Sequence, residues 1–229
     1  MNRWTARAFT LAELVMAVSI TAVIGLAATG VAVSLSSLNE HSEEYYRHLQ
    51  TGRVASVRLQ QTLRRALLVT AGTDDSLVVW ACDDNDNGQI NLSELVEIHY
   101  DPVTDELFEL ALSLPAEMSE ASRSAIDIEM SLADVIQAAA NDETVLDMFA
   151  QYAARRVLAR DVQAFSVRCD EPTPMTRLVS FRLSIGSGAR VAQTSGAATL
   201  RAHRTAYVGW DNDTYVLSAT EVGGDDANP

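Results

Sequence analysis

The feature that most constrains this chain is an uncharged run near its N-terminus. Leu14 to Asn39 reads LVMAVSITAVIGLAATGVAVSLSSLN, 26 residues without a charged side chain. As a helix rising ~1.5 Å per residue, it is longer than the ~30 Å hydrocarbon core of a bilayer. It also exceeds the apolar core of a secretory signal, which is about 7–15 residues. Arg3 and Arg7 precede the run, and Glu40, Glu43 and Glu44 follow it. The basic flank predicts a cytoplasmic N-terminus and an exported bulk, anchored in a membrane by a single pass. Outside the cytoplasm thiols can pair. Cys82 and Cys169 would be joined if their Cα atoms lie within ~7 Å, and are two inert thiols otherwise.

The remaining composition removes several function classes. Of 229 residues, 48% are hydrophobic and 21% charged, which excludes a disordered chain. The formal charge of −14 argues against phosphate-backbone binding, so no nucleic-acid partner is expected. Two cysteines make neither a disulfide-dense scaffold nor a four-cysteine zinc site. His41, His48, His99 and His203 are scattered, and the sequence has no H-E-x-x-H, C-x-x-C, G-x-S-x-G, P-loop or dinucleotide fingerprint. Nothing pairs a nucleophile with a base, so the reading is not an enzyme.

Glu13 sits at the edge of the apolar run. A carboxylate there carries a desolvation cost, which points to a partner; the alternative is an interfacial Glu with no role. The surrounding residues, Arg7-Ala8-Phe9-Thr10-Leu11-Ala12-Glu13-Leu14, resemble the processing motif of type IV pilins and type II secretion pseudopilins. In that family a short basic leader ends in a small residue, usually Gly. A dedicated membrane peptidase cuts there and methylates the new N-terminal Phe, and the fifth mature residue is Glu. The resemblance implies processing between Ala8 and Phe9, with Ala8 in place of Gly, and makes Glu13 the assembly residue. Physically, the new terminal amine of one subunit can meet Glu13 of a neighbour, a pairing that strengthens in a low-dielectric core.

The chain then divides as a leader at 1–8, a transmembrane and assembly helix at 9–38, and its amphipathic continuation at 39–72. An exported α+β domain follows at 73–222, with a helical insertion at 119–160, and a disordered tail at 223–229. Tyr45, Leu49, Gly52, Ser56, Leu59, Leu63 and Ala66 recur at helical spacing, with Arg53, Arg58, Arg64 and Arg65 largely off that face. This predicts one long helix from about Leu11 to Val69, or two helices broken near Ser36-Ser37. Leu77–Cys82, Val96–Tyr100, Leu107–Leu110, Val162–Cys169 and Leu178–Ile185 read as strands. Gly186-Ser187-Gly188 is a hairpin signal, and residues 197–203 and 205–208 would complete one antiparallel sheet. Residues 119–160 read as one or two helices, from Ile136, Ala140, Val145, Met148, Phe149 and Tyr152. A long helix packed on an antiparallel sheet is an α+β class. It is the layout of the pilin-like family. Leu59–Ala66 and Val157–Phe165 resemble, more loosely, the larger minor pseudopilins of a filament tip.

Asp83-Asp84-Asn85-Asp86-Asn87-Gly88-Gln89-Ile90-Asn91-Leu92-Ser93-Glu94 fits D-x-[DN]-x-[DN]-G-x5-E at every fixed position. The pattern resembles an EF-hand loop. The likeness implies a calcium ion held by side-chain oxygens of Asp83, Asn85 and Asn87, the Gln89 carbonyl, Asn91 directly or through water, and both oxygens of Glu94. Gly88 takes the sharp turn and Ile90 points inward. Strand-like flanks predict a static structural site rather than a sensor; the other reading is a polar turn between strands. Asp211-Asn212-Asp213 beside Trp210 reads as a turn.

These observations together predict a membrane-anchored, pilin-like structural subunit of a type II secretion or type IV pilus-like filament. Its expected partners are the prepilin peptidase and other pilin-like subunits. The competing readings are a single-pass protein with an external binding domain, never processed, and a secreted protein cut near Ala27-Ala28.

Overall fold

The computed structural model describes residues 10–85, 87–140, 152–188, 190–200, 208–211 and 214–217. The fold is α+β, with one long N-terminal helix and antiparallel sheets. The chain divides into two compact units, Met1–Tyr46 and Arg47–Pro229.

Helix α1 runs without a break from Leu11 to Arg65, so the two-helix alternative is not adopted. It stops short of the expected Val69 because Leu68–Gly72 forms strand β1. The sequence LVTAG is apolar and partly β-branched, and its first four residues are buried. β1 leads into β2 (Ser76–Trp80), β3 (Ile90–Asn91), a 3-10 turn at Leu92–Glu94, β4 (Leu95–Asp101) and β5 (Glu106–Leu112). Short helix α2 (Glu120–Ile126), strand β6 (Glu129–Met130) and helix α3 (Leu132–Ala140) follow. The chain then makes β7 (Ala153–Ala159), β8 (Val162–Cys169), β9 (Leu178–Ser187), β10 (Arg190–Thr199), β11 (Val208–Asp211) and β12 (Thr214–Leu217).

Among the described residues the single expected sheet is instead four. A five-stranded sheet has the order β1-β2-β4-β5-β7, and a three-stranded sheet has the order β10-β9-β8. β11 pairs with β12, and β3 pairs with β6. Every pairing is antiparallel. The hairpin signal at Gly186-Ser187-Gly188 falls at the β9–β10 turn, where Gly186 has φ +148° and Gly188 φ +57°. A Cβ on Gly186 would lie 1.8 Å from the Arg190 carbonyl oxygen, so the turn requires glycine.

Two cores share the five-stranded sheet. On one face Val69, Leu77, Val79 and Ile98 meet Ala55, Leu59 and Leu63 of α1, together with Val167, Phe181 and Leu183 from the three-stranded sheet. On the other, Leu68, Val78, Trp80 and Leu95 meet Ile90, Leu92, Met130, Leu132 and Val135. Burial on both faces is why β2 reads as an unbroken apolar run rather than an alternation. The helical face expected from the spacing is largely the buried one. Gly52, Ser56, Leu59, Leu63 and Ala66 are buried, with His48 and Ala55, while Tyr45 is exposed.

The helical insertion at 119–160 is corrected in its last part. α2 and α3 are helices, but Ala153–Ala159 is a strand on the edge of the sheet. The AARRVLA segment has helix-forming residues, and tertiary pairing overrides them. Arg156 bonds Glu109, which also accepts from Thr62 Oγ at 2.6 Å, tying strand to helix. Arg155 bonds Glu106 at 3.0 Å and lies 4.0 Å over the Phe108 ring. Val145, Met148 and Phe149, the expected end of the last strands at 201–207, and the tail at 223–229 lie outside the described residues.

Candidate assembly helix and metal-ion loop

The N-terminal part of α1 is the one described helix long and apolar enough to cross a membrane, and none of its most apolar window is buried. Leu14, Val18, Ile24 and Leu35 all stand open to solvent, and Leu26 is 75% exposed. Hydroxyls along it are satisfied within the helix: Ser19, Thr21, Thr29 and Ser34 each donate to the carbonyl four residues back, at 2.8–2.9 Å. Such back-bonding removes the cost of carrying Ser and Thr into hydrocarbon.

Glu13 lies in the first turn of α1. Its Oε2 accepts from the Thr10 backbone N–H at 2.9 Å and from the Thr10 hydroxyl at 3.0 Å. Thr10 Oγ in turn accepts from Glu13 N at 3.3 Å. This is a reciprocal capping box, and the T-x-x-E spacing that encodes it is legible in the sequence. The carboxylate therefore has a local partner as well as any distant one. Ala8 and Phe9 lie outside the described residues.

In the second unit, the Asp/Asn loop connects β2 to β3 and is closed by its own hydrogen bonds. Asp83 Oδ2 accepts from Gly88 N at 3.2 Å, Asn85 Oδ1 from Asn87 N at 3.0 Å, and Asn87 Oδ1 from Gln89 N at 2.8 Å. Gly88 takes φ +70°, the left-handed turn expected of it. Ile90 is fully buried in the second core, as its inward position in the motif requires. Asn91 Oδ1 accepts from both Asn85 Nδ2, at 3.1 Å, and Asn87 Nδ2, at 3.2 Å. Gln89 is half-buried, and Asp86 lies outside the described residues.

Glu94 is 1% exposed and anchors the loop from below. Its Oε1 accepts from Asp84 N at 2.8 Å; its Oε2 accepts from Trp80 Nε1 at 2.9 Å and Asn91 N at 3.1 Å. Both lone pairs of Oε2 are thus taken, and one acceptor position remains on Oε1. Glu94 thus serves three N–H donors in this arrangement. The donor set of Asp83, Asn85, Asn87, Asn91 and the Gln89 carbonyl is chemically right for a hard cation. Two of its carboxamides turn nitrogen, not oxygen, towards Asn91. Among the described residues no group of three or more His, Cys, Asp or Glu is placed to hold a metal. Trp80 is the partner that sequence reasoning missed: it lies 14 residues from Glu94, and no local pattern announces a cross-strand indole.

Cys82 and Cys169 are both free thiols, so the open choice between a disulfide and two thiols falls to thiols here. Burial is the main cause that pushes the Cys82 thiol up to about 12, helped by a hydrogen bond to Asp84 and the charges of Asp84, Glu94 and Asp83. Burial also raises Cys169, against a hydrogen bond to Thr176 that lowers it.

An α+β fold and a long, apolar, exposed N-terminal helix starting in a capping box define the protein's class by structure. No protein-family model, curated protein or solved structure matches the chain.

Proposed function

We propose that this protein is a membrane-anchored, pilin-like structural subunit of a type II secretion or type IV pilus-like filament, of the minor-pseudopilin kind. Residues 9–38 would lie in the inner membrane, with the N-terminus cytoplasmic and residues 73–222 exported. The observation that carries the reading is the exposed apolar surface of α1, from Leu14 to Leu38, which continues without a break into a helix packed on a sheet domain. Such a surface requires either lipid or neighbouring helices. In the proposal a peptidase cuts between Ala8 and Phe9, and Glu13 serves the new terminal amine of a neighbouring subunit. The role is structural rather than catalytic.

Calcium belongs to the proposal as a fixed element of the loop. Asp83, Asn85, Asn87, Asn91, the Gln89 carbonyl and Glu94 would hold it, and it would supply charge neutralisation at the mouth of a long connection. Glu94 keeps its place as the buried anchor of the loop. A calcium-dependent rise in melting temperature, absent in Asp83→Asn, supports this part; identical melting in calcium and in chelator refutes it.

The capping box favours one competing reading. With Glu13 satisfied by Thr10, a plain single-pass anchor with an external binding domain needs no filament neighbour. The chain contains no lysine, all 17 basic side chains being arginine. An amine-directed label therefore reports the N-terminus alone. Mass and N-terminal sequencing of the protein from its native membrane decide the matter. An N-methylated Phe9 establishes the pilin-type pathway, and an intact Met1 overturns it in favour of the plain anchor.

A further inference from the structure

The solvent face of α1 from Arg47 to Arg65 carries a distinct charge pattern. From Tyr45 to Thr73 the sequence contains no acidic residue, in a chain of net charge −14. The same stretch holds five arginines. Arg47, Arg53, Arg58, Arg64 and Arg65 are all exposed. At about 100° per residue, Arg53 and Arg64 fall in one row, and Arg47, Arg58 and Arg65 in another. Between the rows runs a ridge that includes Val54, 48% exposed, and Val57, 53% exposed.

Three arginines at the β7 edge are paired instead. Arg155 and Arg160 bind Glu106, and Arg156 binds Glu109. Among the described residues none of the five helix guanidiniums meets a carboxylate. Five like charges on one helix repel one another. A short apolar ridge rimmed by arginines that meet no carboxylate among the described residues is instead the make-up of an interface centre, where Arg is enriched and its planar fork binds carboxylates in pairs.

We propose that this face docks the acidic helix segment around Glu40, Glu43 and Glu44 of a second copy of the chain. The complementarity is on the helix itself: a block of glutamates precedes the block of arginines, so two parallel copies slipped along their length set one block against the other. A lipid headgroup fits less well, because the same glutamates stand between the apolar run and the arginines and repel anionic surfaces. The inference rests on the filament reading only for the parallel arrangement of the copies.

The test places a photo-crosslinking residue at Val57 of the full-length chain in detergent micelles, with Gln137 on α3 as the control position. The expected product is a homodimer, mapped to residues 38–46 of the partner copy. Its yield falls roughly fivefold between low and 0.5 M salt, where the Debye length shrinks to a few Å. Arg53→Glu with Arg64→Glu abolishes it, and mixing that variant with a Glu40→Arg, Glu43→Arg copy restores it. Arg53→Gln with Arg64→Gln weakens it without reversing charge, should the reversal disturb folding. A salt-independent product, a product on another segment, or adducts with detergent or lipid only overturn the proposal. Sequencing the N-terminus of the same protein from its native membrane separates the two readings. Processed Phe9 without the crosslink defeats the arginine face alone. Intact Met1 with the crosslink defeats the filament and leaves the face as a dimer contact.

Discussion

Glu94 and Trp80 make the sharpest energetic prediction. Each residue is 1% exposed, and the indole N–H donates to Glu94 Oε2 at 2.9 Å. In Glu94→Gln one oxygen must replace two, while three N–H donors still converge on the site. The amide oxygen accepts at most two of them, and the new NH2 faces the third. Leaving one buried donor unsatisfied costs about 1–3 kcal/mol, and the surviving bonds lose the strength that ionic charge gave them. The expected loss is therefore ~2–3 kcal/mol. Trp80→Phe removes the same hydrogen bond and leaves a void where the second ring packed, for ~3 kcal/mol. Because both changes break one bond, the double variant loses less than the sum, with a coupling of ~1–2 kcal/mol. The assay is equilibrium urea unfolding of the full chain in detergent, followed by circular dichroism so that loss of a tryptophan does not remove the signal. Additive losses, or a neutral Glu94→Gln, refute the anchoring role. The same variants separate anchor from ligand. If Glu94 serves calcium through both oxygens instead, Glu94→Gln is neutral in chelator and costs stability only when calcium is present.

Further outcomes follow from single positions. Gly186→Ala should lose about 2–4 kcal/mol in the same unfolding assay, because its Cβ meets the Arg190 carbonyl and its φ of +148° suits only glycine. Cys82, held near 12, is almost entirely protonated at pH 8, so iodoacetamide should alkylate it about two to three orders of magnitude more slowly than a free cysteine. Reaction at the free-thiol rate refutes that environment. Burial works against the Asp170 carboxylate, but backbone N–H groups of Leu178, Arg177 and Glu171 outweigh it and hold the group below its usual range. A lowered folded-state pKa contributes stability above the unfolded value, and that stability is lost as pH falls through the folded one. Asp170→Asn should therefore melt lower than the parent at neutral pH, with the difference closing below about pH 4.

The parts of this protein that the sequence reveals are those where one local rule acts without competition. Twenty-six uncharged residues admit few alternatives to a long apolar helix, and α1 is that helix. Gly186-Ser187-Gly188 needs positive φ and nothing else, so its hairpin is legible. The strand at Ala153–Ala159 is illegible for the opposite reason. Its alanines and arginines favour a helix in isolation, and only the open edge of β5, with Glu106 and Glu109 awaiting cations, turns it into a strand. The end of α1 at Arg65 is the same kind of case: Leu68–Gly72 could have continued an apolar helix, but pairing with β2 buries it completely except for its last residue.

The loop at Asp83–Glu94 combines local demands with a long-range anchor. Gly88 and Ile90 follow the pattern, because a tight turn and an inward apolar residue are local demands. Glu94 has contacts that no local pattern encodes, because the β2 strand brings an indole N–H underneath and the carboxylate serves that donor and two backbone amides. Glu13 is the parallel case at the other end of the chain. One carboxylate at T-x-x-E spacing satisfies a helix start by itself, so the same residue fits both a capping box and an assembly contact. The two roles separate on replacing Thr10 by valine. That change removes the hydroxyl and leaves Glu13 intact, so it should weaken the helix start by about 0.5–2 kcal/mol. If Glu13 also serves a neighbour's terminal amine, Thr10→Val retains filament assembly where Glu13→Ala loses it. Equal loss of assembly in both would place the capping box, and not an intersubunit ion pair, at the root of the effect.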